Sequence, residues 1–177
     1  MSVTELIEIS RGALTGELET KVQALLDDAF PKGSATNGDC YALHGIPDRI
    51  LIAREARQVV GHLAVYRRRV KIGGEVLEIG MVGGVAVLPD HRRKGHCRLL
   101  LLRAHDYLRA RSIHFSILFA FEPRVYLSSG YRLMQNETHF LDVDGAWKTF
   151  VYRGSMYAEL TQRPWPNQVL ELAGGVV

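Results

Sequence analysis

Cysteine is scarce in this chain, with Cys40 and Cys97 the only two in 177 residues. Two thiols so far apart exclude a secreted disulfide framework and a four-ligand zinc site, and a reducing, cytoplasmic setting is the expectation that fits them. Long apolar runs are missing too. No stretch nears the roughly 18 residues of a membrane span. The first residues carry Glu5 and Glu8 and lack the basic start and apolar core of a signal peptide, so neither a membrane nor export is expected. Charge of one sign is also short: 22 Lys and Arg against 19 Asp and Glu leave a net charge of +3. Internal repeats, low-complexity tracts and linkers are absent, so residues 1–177 are expected to form one domain with one core.

What remains, 47% hydrophobic and 23% charged residues, suits a folded chain and not a disordered one. Residues 4–9 alternate as a first strand, and residues 14–30 place Leu14, Leu18, Val22, Leu25, Leu26 and Phe30 on one helical face. Residues 33–47, rich in Gly, Ser, Asn and Asp, read as a loop free to line a site. Residues 50–53 and 59–70 are strands, and Gly73-Gly74 turns the chain into a third, running to about Leu88 with a bulge at Gly83-Gly84. A helix over residues 97–111 follows, with Leu99, Leu100, Leu102 and Leu108 as its apolar residues. The apolar strand at 114–121 then lies parallel to the third. Pro123 opens a short helix stopped by Gly130, residues 131–134, 138–143 and 149–159 close the fold, and nothing is legible after Arg163. The expected class is α/β, a mixed and strongly twisted sheet flanked by helices, whose exposed edges leave room for a homodimer.

The positive charge is concentrated in Arg67-Arg68-Arg69 and His91-Arg92-Arg93-Lys94. The first cluster reads as a solvated strand edge. Nucleic acid is not an expected partner, because no helix-turn-helix spacing, zinc finger or aromatic-basic RNA signature accompanies the charge. The second cluster sits between a strand and a helix, where unpaired helix-start amides and the helix dipole favour an anion. Gly95 lets the backbone come close to that anion, and Arg92, Arg93 and Lys94 add charge. Zinc binding by His91, His96 and Cys97 fails on ligand spacing, so no metal is expected.

Arg92, Gly95 and Cys97 fall where the acyl-CoA signature of the GNAT superfamily has Arg or Gln, Gly, and Gly or Ala. Cys97 departs from that pattern, and His96 is unusual within it. Tyr126-Leu127-Ser128-Ser129-Gly130-Tyr131 resembles the superfamily's later motif of Tyr, three residues, Gly and an aromatic residue. The resemblance implies a splayed cleft for acetyl-CoA or another acyl-CoA. It implies pyrophosphate contacts from Arg92, Arg93, Lys94, Gly95, His96 and Cys97, and thioester contacts from Val85, Ala86 and Val87. Tyr126 would be the general acid. Over roughly residues 59–134 the chain is most similar to the aminoglycoside 2′-N-acetyltransferases, with a fainter similarity to the Nod-factor acyltransferases. A small-molecule amine is therefore the expected acceptor, with Asp39 and Glu122 as candidate acceptor-binding acids. Gly83 stands where the aminoglycoside enzymes carry a glutamate. Glu78 is a further candidate acid, and His62, alone on a strand, reads as a satisfied core residue more readily than as a base. A noncatalytic acyl-CoA-binding module and a protein or peptide N-acetyltransferase remain alternatives.

Overall fold

Alternation in the first strand pairs it at once with the second. β1 (Thr4–Ile9) runs antiparallel to β2 (Arg49–Glu55), from Thr4↔Glu55 to Ile9↔Ile50. β2 runs antiparallel to β3 (Gln58–Ile72), with a bulge between Ala53 and Arg54. Between β1 and β2 the chain forms α1 (Gly16–Ala29), which buries Val22, Leu25 and Leu26 and carries Glu17 and Glu19 in its first turn, where the helix dipole favours them. The helix starts later than its apolar spacing predicts. Arg11–Ala13 make a 3-10 turn first, and Leu14 is buried ahead of the helix. β3 buries residues 59–66 without a break, the pattern of a strand covered on both faces, and exposure alternates from Arg67 onward.

The computed structural model describes residues 3–30, 41, 45–142, 144–151 and 153–177. They fall into two compact units, Met1–Tyr66 with Gly83–Ala104, and Arg67–Val82 with His105–Val177. β3, β4 (Glu75–Val87) and α2 (His96–Arg109) each contribute to both. In the first unit Arg103 of α2 donates to Glu8 of β1 at 2.7 Å.

In the second unit the Gly73-Gly74 turn, with φ of 55° and 93°, joins β3 to β4 as expected. β4 runs parallel to β5 (Phe115–Phe119), the strand–helix–strand connection read from the sequence. α3 (Arg124–Leu127) ends near Gly130, whose φ is 87°. With β6 (Arg132–Leu133), β7 (Thr138–Leu141), β8 (Trp147–Phe150), β9 (Ser155–Glu159) and β10 (Leu170–Glu171), the strand order is β6-β9-β5-β4-β3-β10-β7-β8. The sheet is mixed: β10 is parallel to β7 and antiparallel to β3.

Four expectations need correction. α2 buries Leu100, Leu101, Ala104, Tyr107 and Leu108, whereas Leu99 and Leu102 are 39% and 41% exposed, so the apolar stripe is rotated by one residue. The single strand expected over 149–159 is two, because β8 ends at Phe150 and Gly154 accepts from the Ala120 amide at 2.7 Å before β9 begins. The tail after Arg163 is anchored. Trp165 packs edge-on to Phe115 and stacks on Tyr157, and its Nε1 donates to Asn136 at 2.8 Å. Arg68 also departs from a wholly solvated edge, since its guanidinium donates to the Gly175 carbonyl.

Candidate functional site

The basic turn begins where β4 ends. The Leu88 amide donates to Val60 at 3.0 Å, and Pro89–His91 then form one 3-10 turn. Arg93 (φ 60°) and Gly95 (φ 89°) both take left-handed conformations and swing the chain into α2. The Leu99 amide bonds to the Gly95 carbonyl at 2.9 Å. The amides of His96, Cys97 and Arg98 precede it and have no acceptor within the helix. Arg92, Arg93, Lys94 and Gly95 are exposed. A Cβ placed on Gly95 would meet nothing within 4 Å, so the space above the turn is open. Helix-start amides, two left-handed residues and three exposed cations fit a diphosphate by charge and by shape.

His96 contributes differently from Arg92 and Lys94. Its side chain is 4% exposed and turned inward, with Nε2 3.3 Å from Glu55 Oε1 but without hydrogen-bond alignment. His91 Nε2 lies 3.8 Å from the other Glu55 oxygen, and Thr4 donates to Glu55 at 2.9 Å. A ligand above the turn is therefore offered the His96 amide and not its imidazole. Arg92 folds back, donating from Nε to the Val87 carbonyl at 3.1 Å. Cys97 is half-buried and burial pushes its thiol up to about 11, so it is a small neutral side chain at physiological pH. Glu55 is not legible in the sequence, because a charge at a strand end gives no sign of the distant histidines it meets.

The segment expected to meet the thioester follows a left-handed glycine. Of the Gly83-Gly84 pair, Gly84 takes the left-handed conformation, with φ 59°. β4 continues to Val87 beyond Met81, the last residue of its ladder with β5. Ala86 is buried, while Val85 and Val87 are half-buried. His62 is a satisfied core residue: it is fully buried, with Gly84 O and Tyr41 Oη each 2.6 Å from its ring nitrogens.

Tyr126 and Glu122 belong to the second unit. Tyr126 is half-buried on α3, edge-on to Tyr131 at 6.2 Å, and Tyr131 is itself tied to Ser116 by a 2.7 Å hydroxyl pair. Glu122 is exposed beside α3, and Glu78 is exposed on β4. Asp39 lies outside the described residues. An open hollow of about 620 Å³ in the second unit, with Arg69, Lys71, Trp147 and Lys148 on its walls, includes none of the candidate cofactor, acceptor or catalytic residues.

Two buried imidazoles make stability depend on pH. Burial pushes His62 down to about 4. His105 is also pushed down to about 4, by burial first and then by the Arg109 charge, with Asp106 opposing. A histidine whose folded pKa lies below its unfolded value binds its proton more readily in the unfolded chain. Its contribution is whole above pH 6.5 and is lost as pH falls toward 4. At roughly 3 kcal/mol for each group, the melting temperature is expected to hold level above pH 7 and to drop steeply between pH 6.5 and 4. A flat profile through that window in thermal melts would contradict the buried neutral state.

Set beside known proteins, the chain matches a family model described as an acetyltransferase (GNAT) domain over residues 13–134. Among solved structures it is similar to the GNAT family N-acetyltransferase YhbS from Escherichia coli in complex with CoA, with a TM-score of 0.68 and 17% identity over 97% of this chain and 89% of that one. A GNAT family acetyltransferase from Brucella melitensis in complex with acetyl-CoA gives 0.61 and 18%, covering 94% of each chain. Eis1 from Mycobacterium abscessus gives 0.61 and 20%, covering 77% of this chain and 33% of that one. The chain thus spans about a third of the length of Eis1 and of the matched proteins from Enterococcus faecalis and Kribbella flavida. No curated protein matches the sequence.

Proposed function

Since the chain belongs to the GNAT acetyltransferase family, we propose that it moves an acetyl or other acyl group from acyl-CoA to the primary amine of a small polar acceptor, such as an amino sugar or aminoglycoside-like compound. The amine attacks directly, with both substrates bound. The observation that carries this reading is the pair of left-handed residues, Arg93 and Gly95, that opens α2 beneath exposed Arg92 and Lys94. The Gly95, His96 and Cys97 amides hold the diphosphate, and the Arg92, Arg93 and Lys94 charges reinforce them.

Acyl-CoA supplies the activated thioester. Amides of Val85, Ala86 and Val87 orient its carbonyl and donate to the oxygen as charge develops there. Tyr126 gives a proton to the departing sulfur, a role taken from its place in the later motif. No side chain is assigned as the base, because Gly83 occupies the position of the glutamate. An amine of low pKa is partly neutral near pH 7 and passes its proton to water. Asp39 and Glu122 are the candidate acids for holding a cationic acceptor.

Free-thiol release from acetyl-CoA and longer acyl-CoAs, followed across amino sugars, aminoglycosides and peptides, tests the proposal. Release with an amino sugar or aminoglycoside supports it. Release with peptides alone moves the acceptor to proteins, and CoA binding without release with any acceptor identifies a noncatalytic module.

A further inference from the structure

The centre of β3 carries a side chain unlike its neighbours. His62 is flanked by Gly61 and Leu63 in the unbroken buried run, and its own exposure is 0%. Both ring nitrogens are engaged at short range: Nδ1 lies 2.6 Å from the Gly84 carbonyl oxygen, and Nε2 lies 2.6 Å from the Tyr41 hydroxyl. A carbonyl only accepts, so the proton sits on Nδ1 and His62 donates to Gly84. In the neutral ring Nε2 is then bare, and Tyr41 donates to it. Burial keeps the ring in that neutral state, pushing its pKa down to about 4.

The bond falls on a particular peptide. Gly84 has φ 59°, and a Cβ there would lie 3.2 Å from His62 Cε1, so the imidazole is packed directly against Gly84. A left-handed residue turns its peptide away from regular strand geometry, and the Gly84 carbonyl takes its donor from His62. The peptide unit that ends in the Gly84 carbonyl also contains the Val85 N–H. In a planar trans peptide these two groups point in opposite directions, so whatever fixes the carbonyl also aims the amide. Val85 is the first of the three residues whose amides are assigned to the thioester.

We propose that His62 is a positioning residue for acyl transfer: by donating to the Gly84 carbonyl it aims the Val85 N–H at the thioester oxygen, and the Tyr41 hydroxyl, donating to the other ring nitrogen, holds the ring in the orientation that can do so. This rests on the acyltransferase reading above and supplies the part that the sequence left unexplained, namely what holds the Gly84 peptide. His62 takes no proton from substrate. Its effect passes through one peptide plane, so it should appear in turnover and not in the affinity for CoA.

Two isosteric substitutions separate the bonds. In His62→Asn the amide nitrogen takes the place of Nδ1 and still donates to Gly84. In His62→Gln it reaches the place of Nε2 and leaves the Gly84 carbonyl without its donor. With thermal melts run alongside, the Asn variant is expected to keep kcat within about 5-fold of wild type. The Gln variant is expected to lose on the order of 10²-fold, the usual cost of a misplaced oxyanion donor. KM for acyl-CoA should move less than about 3-fold in either, because transition-state contacts are lost and ground-state binding is not. Equal kcat for the two variants, or a Gln defect confined to KM, overturns the proposal. Should neither variant fold, Tyr41→Phe carries the test: losing the donor that holds the ring's orientation should lower kcat by about 10-fold at unchanged KM, and an unchanged kcat overturns the assignment. Wild-type protein that releases no thiol from any acyl-CoA would overturn both this proposal and the acyltransferase reading. Wild-type turnover with equal Asn and Gln variants overturns this one alone.

Discussion

Gly95→Ala is expected to lose acyl-CoA before it loses its fold. At φ 89° an alanine is strained, and a left-handed L-residue costs roughly 1–2 kcal/mol. The added methyl group meets no protein atom within 4 Å, so nothing in the core has to move. The methyl instead occupies the open space in which the diphosphate would approach the helix-start amides. A loss of about 2 kcal/mol of binding corresponds to roughly 30-fold in Kd. Calorimetric titration of acetyl-CoA should therefore show a weakening of at least that size, beside a melting temperature lowered by only a few degrees. Wild-type affinity in the Ala variant would mean that the diphosphate does not sit on this turn.

Tyr126→Phe should leave acyl-CoA bound and nearly stop turnover. The ring is half-buried and edge-on to Tyr131, and phenylalanine keeps that packing while removing the hydroxyl. A positioned acid contributes typically 10²–10⁴-fold, so kcat is expected to fall by about 10² or more, with KM for acyl-CoA within about 3-fold. A thioester whose leaving group needs little proton assistance should be less affected. Retention of kcat in the Phe variant would remove Tyr126 from the chemistry and leave it as a packing residue of α3.

The parts legible in the sequence are those encoded by local chemistry. Gly73-Gly74, Pro89, Gly95 and Gly130 each impose a backbone state on their own, and the turns stand where those residues stand. The parallel β4–β5 pairing followed from an apolar strand on either side of one helix. The face of α2 did not, because Leu99, Leu100, Leu101 and Leu102 are consecutive and leave no local contrast between inside and outside. The role of Trp165 is not legible, because its partners, Phe115, Asn136 and Tyr157, lie in three different segments. Within the candidate site, the run from Arg92 to Cys97 could be read from one stretch of chain. Glu55 beneath His96, and His62 between Tyr41 and Gly84, are contacts among residues more than twenty apart, and a single sequence carries no mark of them.

The central claim is that the CoA diphosphate rests on the amides at the start of α2, with the thioester against the strand that leads there. Amide-resolved NMR titration of the labelled protein with CoA and acetyl-CoA tests this most directly. The expected result is large shifts at Gly95, His96 and Cys97 with both ligands, and additional shifts at Val85, Ala86 and Val87 with acetyl-CoA. Shifts centred on Arg69, Trp147 and Lys148 instead, with the Gly95 to Cys97 amides unmoved at saturation, would contradict it.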